Sequence, residues 1–172
     1  QNIKEIKKTQ TKLNIIYSPS SNKQTRWGGK ENKKFLLSLS NIIKNNDYIT
    51  NICKNIDPFI LDQKRYDADI TIDELVTGCF HLVSYEGMAC GNVVINNADI
   101  ISLLIFGDSI KAKKFPPFFT CNENELIQKI NFLNKNRNIL DKIKNESKFY
   151  FENYLNENRL ANLYKDFYDE IS

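Results

Sequence analysis

In the stretch from Ala68 to Asn96, ADITIDELVTGCFHLVSYEGMACGNVVIN, one carboxylate, Glu86, sits in the helical part among small residues. The residue types read in order as strand, loop, helix and strand, with Gly78 and Gly91 punctuating the loop and the helix end. That layout brings one acid and the free N–H groups of a helix start to the carboxyl edge of a parallel sheet, where nucleotides bind in open α/β folds. The bland alternative is a βαβ unit carrying one surface glutamate.

A second group with useful chemistry lies earlier. Lys23, Arg26 and Lys30 accompany Gly28 and Gly29 in a loop that opens a helix. Cations and N–H donors in one loop suit a diphosphate, although a solvated basic turn has the same composition. His81 is the sole histidine. From the loop before Glu86 it could hydrogen-bond a sugar or phosphate and would titrate near neutral pH; lone histidines more often serve structure. No nucleophile elbow accompanies it, so no Ser-His-Asp triad is expected. Asp69, Asp73 and Glu74 gather near a strand end, and clustered oxygens attract hard cations. The run lacks a DxD after a strand, so Asp69 is expected to cap or pair locally and no metal site is expected. Phe59, Tyr66 and Phe80 could stack on a nucleobase or simply fill core.

The elements that must position these residues follow from periodicity. Leu13 to Tyr17 (LNIIY) reads as the first strand, ended by Ser18-Pro19-Ser20-Ser21-Asn22. Phe35, Leu36, Leu39, Ile42 and Ile43 make a helical stripe, Tyr48 to Ile52 a polar second strand, and Asp57-Pro58 starts a turn or short helix through Leu61 and Arg65. Ile70 and Ile72 mark a short strand. Val83, Met88 and Ala89 predict the buried side of a helix, with Gly87 and Ala89 keeping one face thin and Gly91 as its left-handed stop. Asn92 to Ile95 is a strand covered on both faces.

Ala98 to Phe106 predicts a helix ended by Gly107-Asp108. Phe115 to Phe119 (FPPFF) predicts an extended piece whose prolines forbid a central antiparallel strand. Asn122 or Asn124 is expected to cap a helix carrying Leu126, Ile127, Ile130 and Leu133. Ile139, Leu140 and Ile143 continue a helical rhythm, and Leu160, Leu163, Tyr164, Phe167, Tyr168 and Ile171 trace a final amphipathic helix face, most simply core. Alternating strands and helices predict an α/β protein: a Rossmann-like doubly wound parallel sheet with helices on both faces and helices at the C-terminus. Residues 1–12 read as a lead-in and 13–172 as one domain.

The central stretch resembles the donor-binding signature of GT-B-fold glycosyltransferases, in particular the large retaining group 1 type. That pattern is an ADI strand, a Gly-aromatic-Gly loop, then E-A-M-A-x-G-x-P-V-I. Here it stands as Ala68-Asp69-Ile70, then Gly78-Cys79-Phe80-His81, then Glu86-Gly87-Met88-Ala89-Cys90-Gly91-Asn92-Val93-Val94-Ile95. The resemblance implies that the chain from about Leu13 onward is the C-terminal, nucleotide-sugar-binding half of such an enzyme. It implies that Glu86 grips the ribose hydroxyls and that backbone N–H groups of the loop at Gly78, Cys79, Phe80 and His81 face the donor.

Lys23 and Arg26 would take the places of the family's basic loop residues. The donor would be a UDP- or GDP-sugar, with no resident cofactor or metal. The acceptor groups would come from an N-terminal half absent from this sequence, leaving the fragment alone with little or no turnover. The final helix in such proteins crosses back onto that half, a second use for its aromatic face. The chain departs from the pattern at position 78, eight residues before Glu86, where glycine replaces the family's upstream glutamate. A subset reading Asp-Gln-Leu-x-x-Gly-x-Tyr-Gly shares this loss, and Asp73-Glu74-Leu75, Gly78 and Phe80 fit it. His81, Gly87 and Val93 replace Gly, Ala and Pro. These departures favour the rival expectation, a catalytically degenerate, non-enzymatic binding or interaction domain.

Composition sets outer bounds. With 172 residues, 41% hydrophobic and 12% aromatic, the chain can build one core and is not a disordered sequence. A net charge of +3 permits anionic small ligands but is no nucleic-acid footprint. No apolar run approaches the roughly 20 residues of a membrane span, and no signal peptide opens the chain. A cytoplasmic location is therefore expected. The run Lys111, Lys113 and Lys114 is either solvated or a contact with an anionic lipid surface or lipid-linked acceptor at the inner membrane face. Cys53, Cys79, Cys90 and Cys121 form no CxxC pair, which predicts reduced thiols and no zinc site.

Overall fold

The structure, a computed structural model, describes residues 12–18, 37, 40–42, 44, 48–53 and 56–171. Four strands, β1 (Leu13–Tyr17), β2 (Tyr48–Ile52), β3 (Ile70–Ile72) and β4 (Val93–Ile95), form an all-parallel sheet in the order β2-β1-β3-β4. The register pairs Ile15 with Thr50 and with Ile70, and Ile70 with Val93. The described helices are α1 (Pro58–Tyr66), α2 (Leu82–Ala89), α3 (Ile100–Ser109), α4 (Leu126–Lys135), α5 (Arg137–Tyr150) and α6 (Glu157–Ile171), with a π-helical turn at Phe151–Leu155 joining the last two. Helical backbone also occurs at 37, 40–42 and 44.

β3 and β4 are short and buried on both sides, so their residues show no strict alternation, whereas the edge strand β2 leaves Ile49 and Ile52 exposed. One sheet face carries Leu13, Ile15, Ile70, Ile72, Val93 and Ile95 against Ile42, Leu126, Ile130 and Leu133. On the other, Ile16 packs beneath Leu61 of α1, and Val94 packs with Met88 of α2, Tyr150 and Leu155. The expected α/β class, with a parallel sheet and helices on both faces, is thus what the chain forms. The chain leaves β1 toward β2, then crosses back to place β3 on the other side of β1. That reversal opens a crevice at the carboxyl ends of β1 and β3, the place where open sheets of this kind bind ligands.

Helix α2 seats closely on the sheet because position 87 has no side chain. A Cβ there would lie 2.9 Å from Val94 Cγ2 and 3.0 Å from Thr71 Cβ. The alanine usual in the resembled signature does not fit this packing. Gly87→Ala should therefore lose about 1–2 kcal/mol in urea unfolding through overpacking, even though alanine alone favours helix by about 1 kcal/mol. A more stable variant would show that helix and sheet stand further apart. Gly91 ends α2 in the left-handed conformation, φ +72°. Its N–H donates to the Met88 carbonyl and that of Asn92 to the Gly87 carbonyl, which closes the last turn as expected for such a stop.

Other details depart from the sequence expectation. Ala89 is exposed, and the buried residues of α2 are Ser84, Gly87 and Met88. Helix α3 begins when Asp99 accepts the Ser102 N–H and runs through Gly107 and Asp108 to Ser109. The packing of Phe106 and Ile110 into the apolar group around Tyr150 carries the helix past the glycine. Its outer face leaves Ile100, Ile101, Leu104 and Ile105 exposed. The FPPFF piece runs along the outer edge of β4, where the Phe119 N–H donates to Val94 and the Cys121 N–H to Asn96, both at 2.9 Å. Both donors follow the prolines, which is why the prolines are tolerated.

Neither Asn122 nor Asn124 caps α4. Glu125 holds that position without a side-chain cap, and its carboxylate accepts the Asn122 N–H. In α6, Leu160 and Leu163 pack inward, but Tyr164, Phe167 and Tyr168 are exposed rather than core.

Candidate functional site

The crevice is built from the end of β3, the loop 73–81 and the first turns of α2. Asp73 follows β3 directly and is buried. Its carboxylate accepts the His81 N–H and the Ser84 hydroxyl, each at 2.7 Å, and the Asn96 amide donates to Ser84 Oγ at 3.1 Å. His81 Nδ1 lies 3.4 Å from the same carboxylate, and the ring is 48% exposed. His81 is therefore at the mouth of the crevice, anchored by Asp73. Glu74 closes the loop on itself by accepting the N–H groups of Val76 and Thr77 and the Thr77 hydroxyl. The expectation that this loop presents its N–H groups to a ligand is thus corrected at His81: that donor already serves Asp73.

Gly78 has φ +78°, a region L-residues rarely adopt, and its carbonyl accepts the Asp99 N–H and the Ser102 hydroxyl. A Cβ at 78 would meet Asp99 Oδ2 at 2.8 Å. The backbone favours glycine here, and a larger side chain would have to displace the exposed Asp99 carboxylate. Cys79 is exposed beside it. Phe80 lies edge-on to Tyr85, Phe106 and Phe118, at 5.7, 5.2 and 5.0 Å between ring centres. Its ring is engaged in this aromatic group rather than free to stack on a base. Phe59 is exposed on α1 and does not line the groove at Glu86.

Glu86 projects from α2 toward α1. Its Oε2 lies 2.9 Å from Arg65 Nη2, and the Arg65 side chain is 1% exposed against 37% for Glu86. The same Nη2 donates to Ser18 Oγ at 3.1 Å, while Nη1 reaches Asp62 Oδ1 at 3.3 Å. Ser18 is the first residue after β1, so the guanidinium ties Glu86 to the carboxyl end of that strand, while the sequence-expected basic residues Lys23 and Arg26 come later in the chain. Those two residues fall outside the described part of the structure. Between α1 and α2 an open groove of about 440 Å³ is lined by Asp62, Gln63, Tyr66, Glu86, Ala89 and Cys90. Tyr66 is largely exposed at its rim.

No protein-family model matches the chain, and no curated protein matches its sequence.

Burial pushes the Tyr17 hydroxyl up from its ordinary value, helped by the charges of Asp73 and Glu74. Burial, then Asp73, does the same to Tyr85. Burial also raises the Cys90 thiol against the opposing pull of Arg65. These three groups are neutral at pH 7, so the charge facing the groove comes from the carboxylates of Asp62 and Glu86.

Asp69 belongs elsewhere. It stands at the opposite end of β3 from Asp73, accepts the Asn14 N–H at 3.0 Å and pairs with Lys144 at 2.7 Å. Its partner is 75 residues away rather than local, and the three acids do not converge. Among the described residues no group of three or more His, Cys, Asp or Glu could hold a metal ion.

Arg65 is the residue that sequence reading passed over. The available signal was a cation in the last turn of a helix shortly before a strand marked by Ile70 and Ile72, a position that becomes buried and then requires an acid.

Proposed function

We propose that this chain is the nucleotide-sugar-binding half of a glycosyltransferase that moves a sugar from an activated donor to a hydroxyl acceptor. The observation that carries the reading is the half-exposed Glu86 carboxylate, lining the groove between α1 and α2 and held by the Arg65 guanidinium that also reaches Ser18 after β1. A carboxylate there accepts hydrogen bonds from a ribose diol. Tyr66, exposed at the groove rim, offers a ring face to the base. Lys23 and Arg26, a few residues beyond Ser18 in the sequence, would neutralise the departing diphosphate, the main catalytic contribution of this half. The acceptor would be held by a separate N-terminal half.

The exposed Ile100, Ile101, Leu104 and Ile105, with Lys111, Lys113 and Lys114 following, suit contact with an anionic membrane surface that carries a lipid-linked acceptor. Among the described residues no helix is long and apolar enough to cross a membrane. A cytoplasmic, membrane-peripheral site of action fits this reading.

A second reading, a non-enzymatic binding module of the same fold, is favoured by Gly78, which supplies no sugar-positioning carboxylate and whose positive φ disfavours one. Calorimetric titration with UDP- and GDP-sugars separates the two. Donor binding below about 1 mM that weakens about threefold or more in Glu86→Gln supports the first reading. No binding at millimolar donor supports the second.

A further inference from the structure

We propose that Arg65 is a positioning residue: its buried guanidinium fixes the Glu86 carboxylate, and through it sets the preference for ribose over 2′-deoxyribose at the groove. The proposal rests on the donor-binding reading above.

Arg65 is built in from both ends. Its carbonyl accepts the Asn92 amide at 2.8 Å, and that amide also donates to Thr71 Oγ1 at 2.9 Å, which locks the end of α1 to the sheet. Its side chain is almost wholly buried, yet Nε has no hydrogen-bond partner among the described residues. A guanidinium placed only to be satisfied would not leave a buried donor unpaired. What this placement does achieve is geometric. One nitrogen, Nη2, reaches both Ser18 Oγ and Glu86 Oε2, so the carboxylate is fixed relative to Ser18 at the end of β1.

Glu86 Oε1 makes no hydrogen bond to the described residues, and Glu86 lines the groove. One oxygen is thus held by the protein and the other is left for a ligand hydroxyl. A planar fork is suited to this double duty and a lysine ammonium is not.

The test is isothermal titration of UDP and GDP, and of their 2′-deoxyribose forms, into the full chain. The proteins compared are wild type, Glu86→Gln and Arg65→Met, with thermal melting to check folding. The wild type should prefer the ribose form by about tenfold, and both variants should reduce the preference to about threefold or less, because only the sugar contact changes. Binding of the deoxy forms should stay within about twofold of wild type. A merely structural role would weaken both forms together and leave the ratio intact.

A wild type that binds and discriminates, with discrimination kept in Arg65→Met, overturns the assignment alone. A wild type that binds without discriminating also overturns it. A wild type that binds no nucleotide overturns the donor-binding reading and this inference with it. If Arg65→Met does not fold, Arg65→Lys carries the same test, and a ratio unchanged from wild type overturns the proposal.

Discussion

Glu86→Ala should lower stability by about 2–4 kcal/mol, because it leaves the Arg65 guanidinium buried without its closest acid. Asp62, the other carboxylate in reach, sits at 3.3 Å and is itself largely exposed. The partial exposure of Glu86 places the effect toward the lower part of the range for broken buried pairs. The reverse deletion is milder: in Arg65→Met the carboxylate keeps access to water through the groove. The double variant Arg65→Met/Glu86→Gln removes both charges and should recover most of the loss, since an apolar side chain suits that site. Urea unfolding of the four proteins, read at constant slope, measures each difference. An alanine variant within about 0.5 kcal/mol of wild type would mean that the pair contributes nothing in solution. This effect also explains the use of glutamine in the binding experiments, where a loss of fold would imitate a loss of ligand contact.

Restoring the acid that the resembled signature carries upstream, Gly78→Glu, should damage the protein rather than complete a site. An L-residue at φ +78° costs about 1–2 kcal/mol in backbone strain. The new Cβ would also push into Asp99 Oδ2 at 2.8 Å. Displacing the exposed Asp99 side chain also costs its capping hydrogen bond, and two carboxylates then face each other. Asp99 cannot yield freely, because its side chain caps α3 through the Ser102 N–H at 2.7 Å. Hydrogen bonds from Ser102 also hold its carboxyl below the ordinary range. A total loss of about 2–4 kcal/mol is expected in the same unfolding assay, with donor affinity unimproved. Gly78→Ala isolates the backbone part and should show a smaller loss. A Gly78→Glu protein as stable as wild type, and binding donor more tightly, would show that the loop rearranges to admit a second acid.

Local pattern carried a large part of the fold. The apolar runs at Leu13–Tyr17 and Val93–Ile95, the left-handed stop at Gly91 and the helical rhythm beyond Leu126 appear where the residue types place them. These features depend on neighbours within a turn or a strand, so the information is contained in short windows. Less legible were the details that packing overrides. Gly107 reads as a helix stop, but Phe106 and Ile110 find apolar partners beyond it and the helix continues. Phe80 reads equally as base platform or core, and three other rings decide for core.

By itself, then, the sequence determined the class of the fold, the order of its strands along the chain and the identity of Glu86 as the acid of interest. Tertiary structure alone decided what that acid does with its two oxygens. Arg65 and Glu86 come together because β3 brings α1 and α2 side by side on one sheet face, and Ser18 joins them only because β1 lies next to β3. The Asp69–Lys144 pair, 75 residues apart, arises in the same way. A charge far away in the chain leaves no mark on local residue spacing. Its partner is chosen when burial removes water from a guanidinium and makes a carboxylate within reach a requirement.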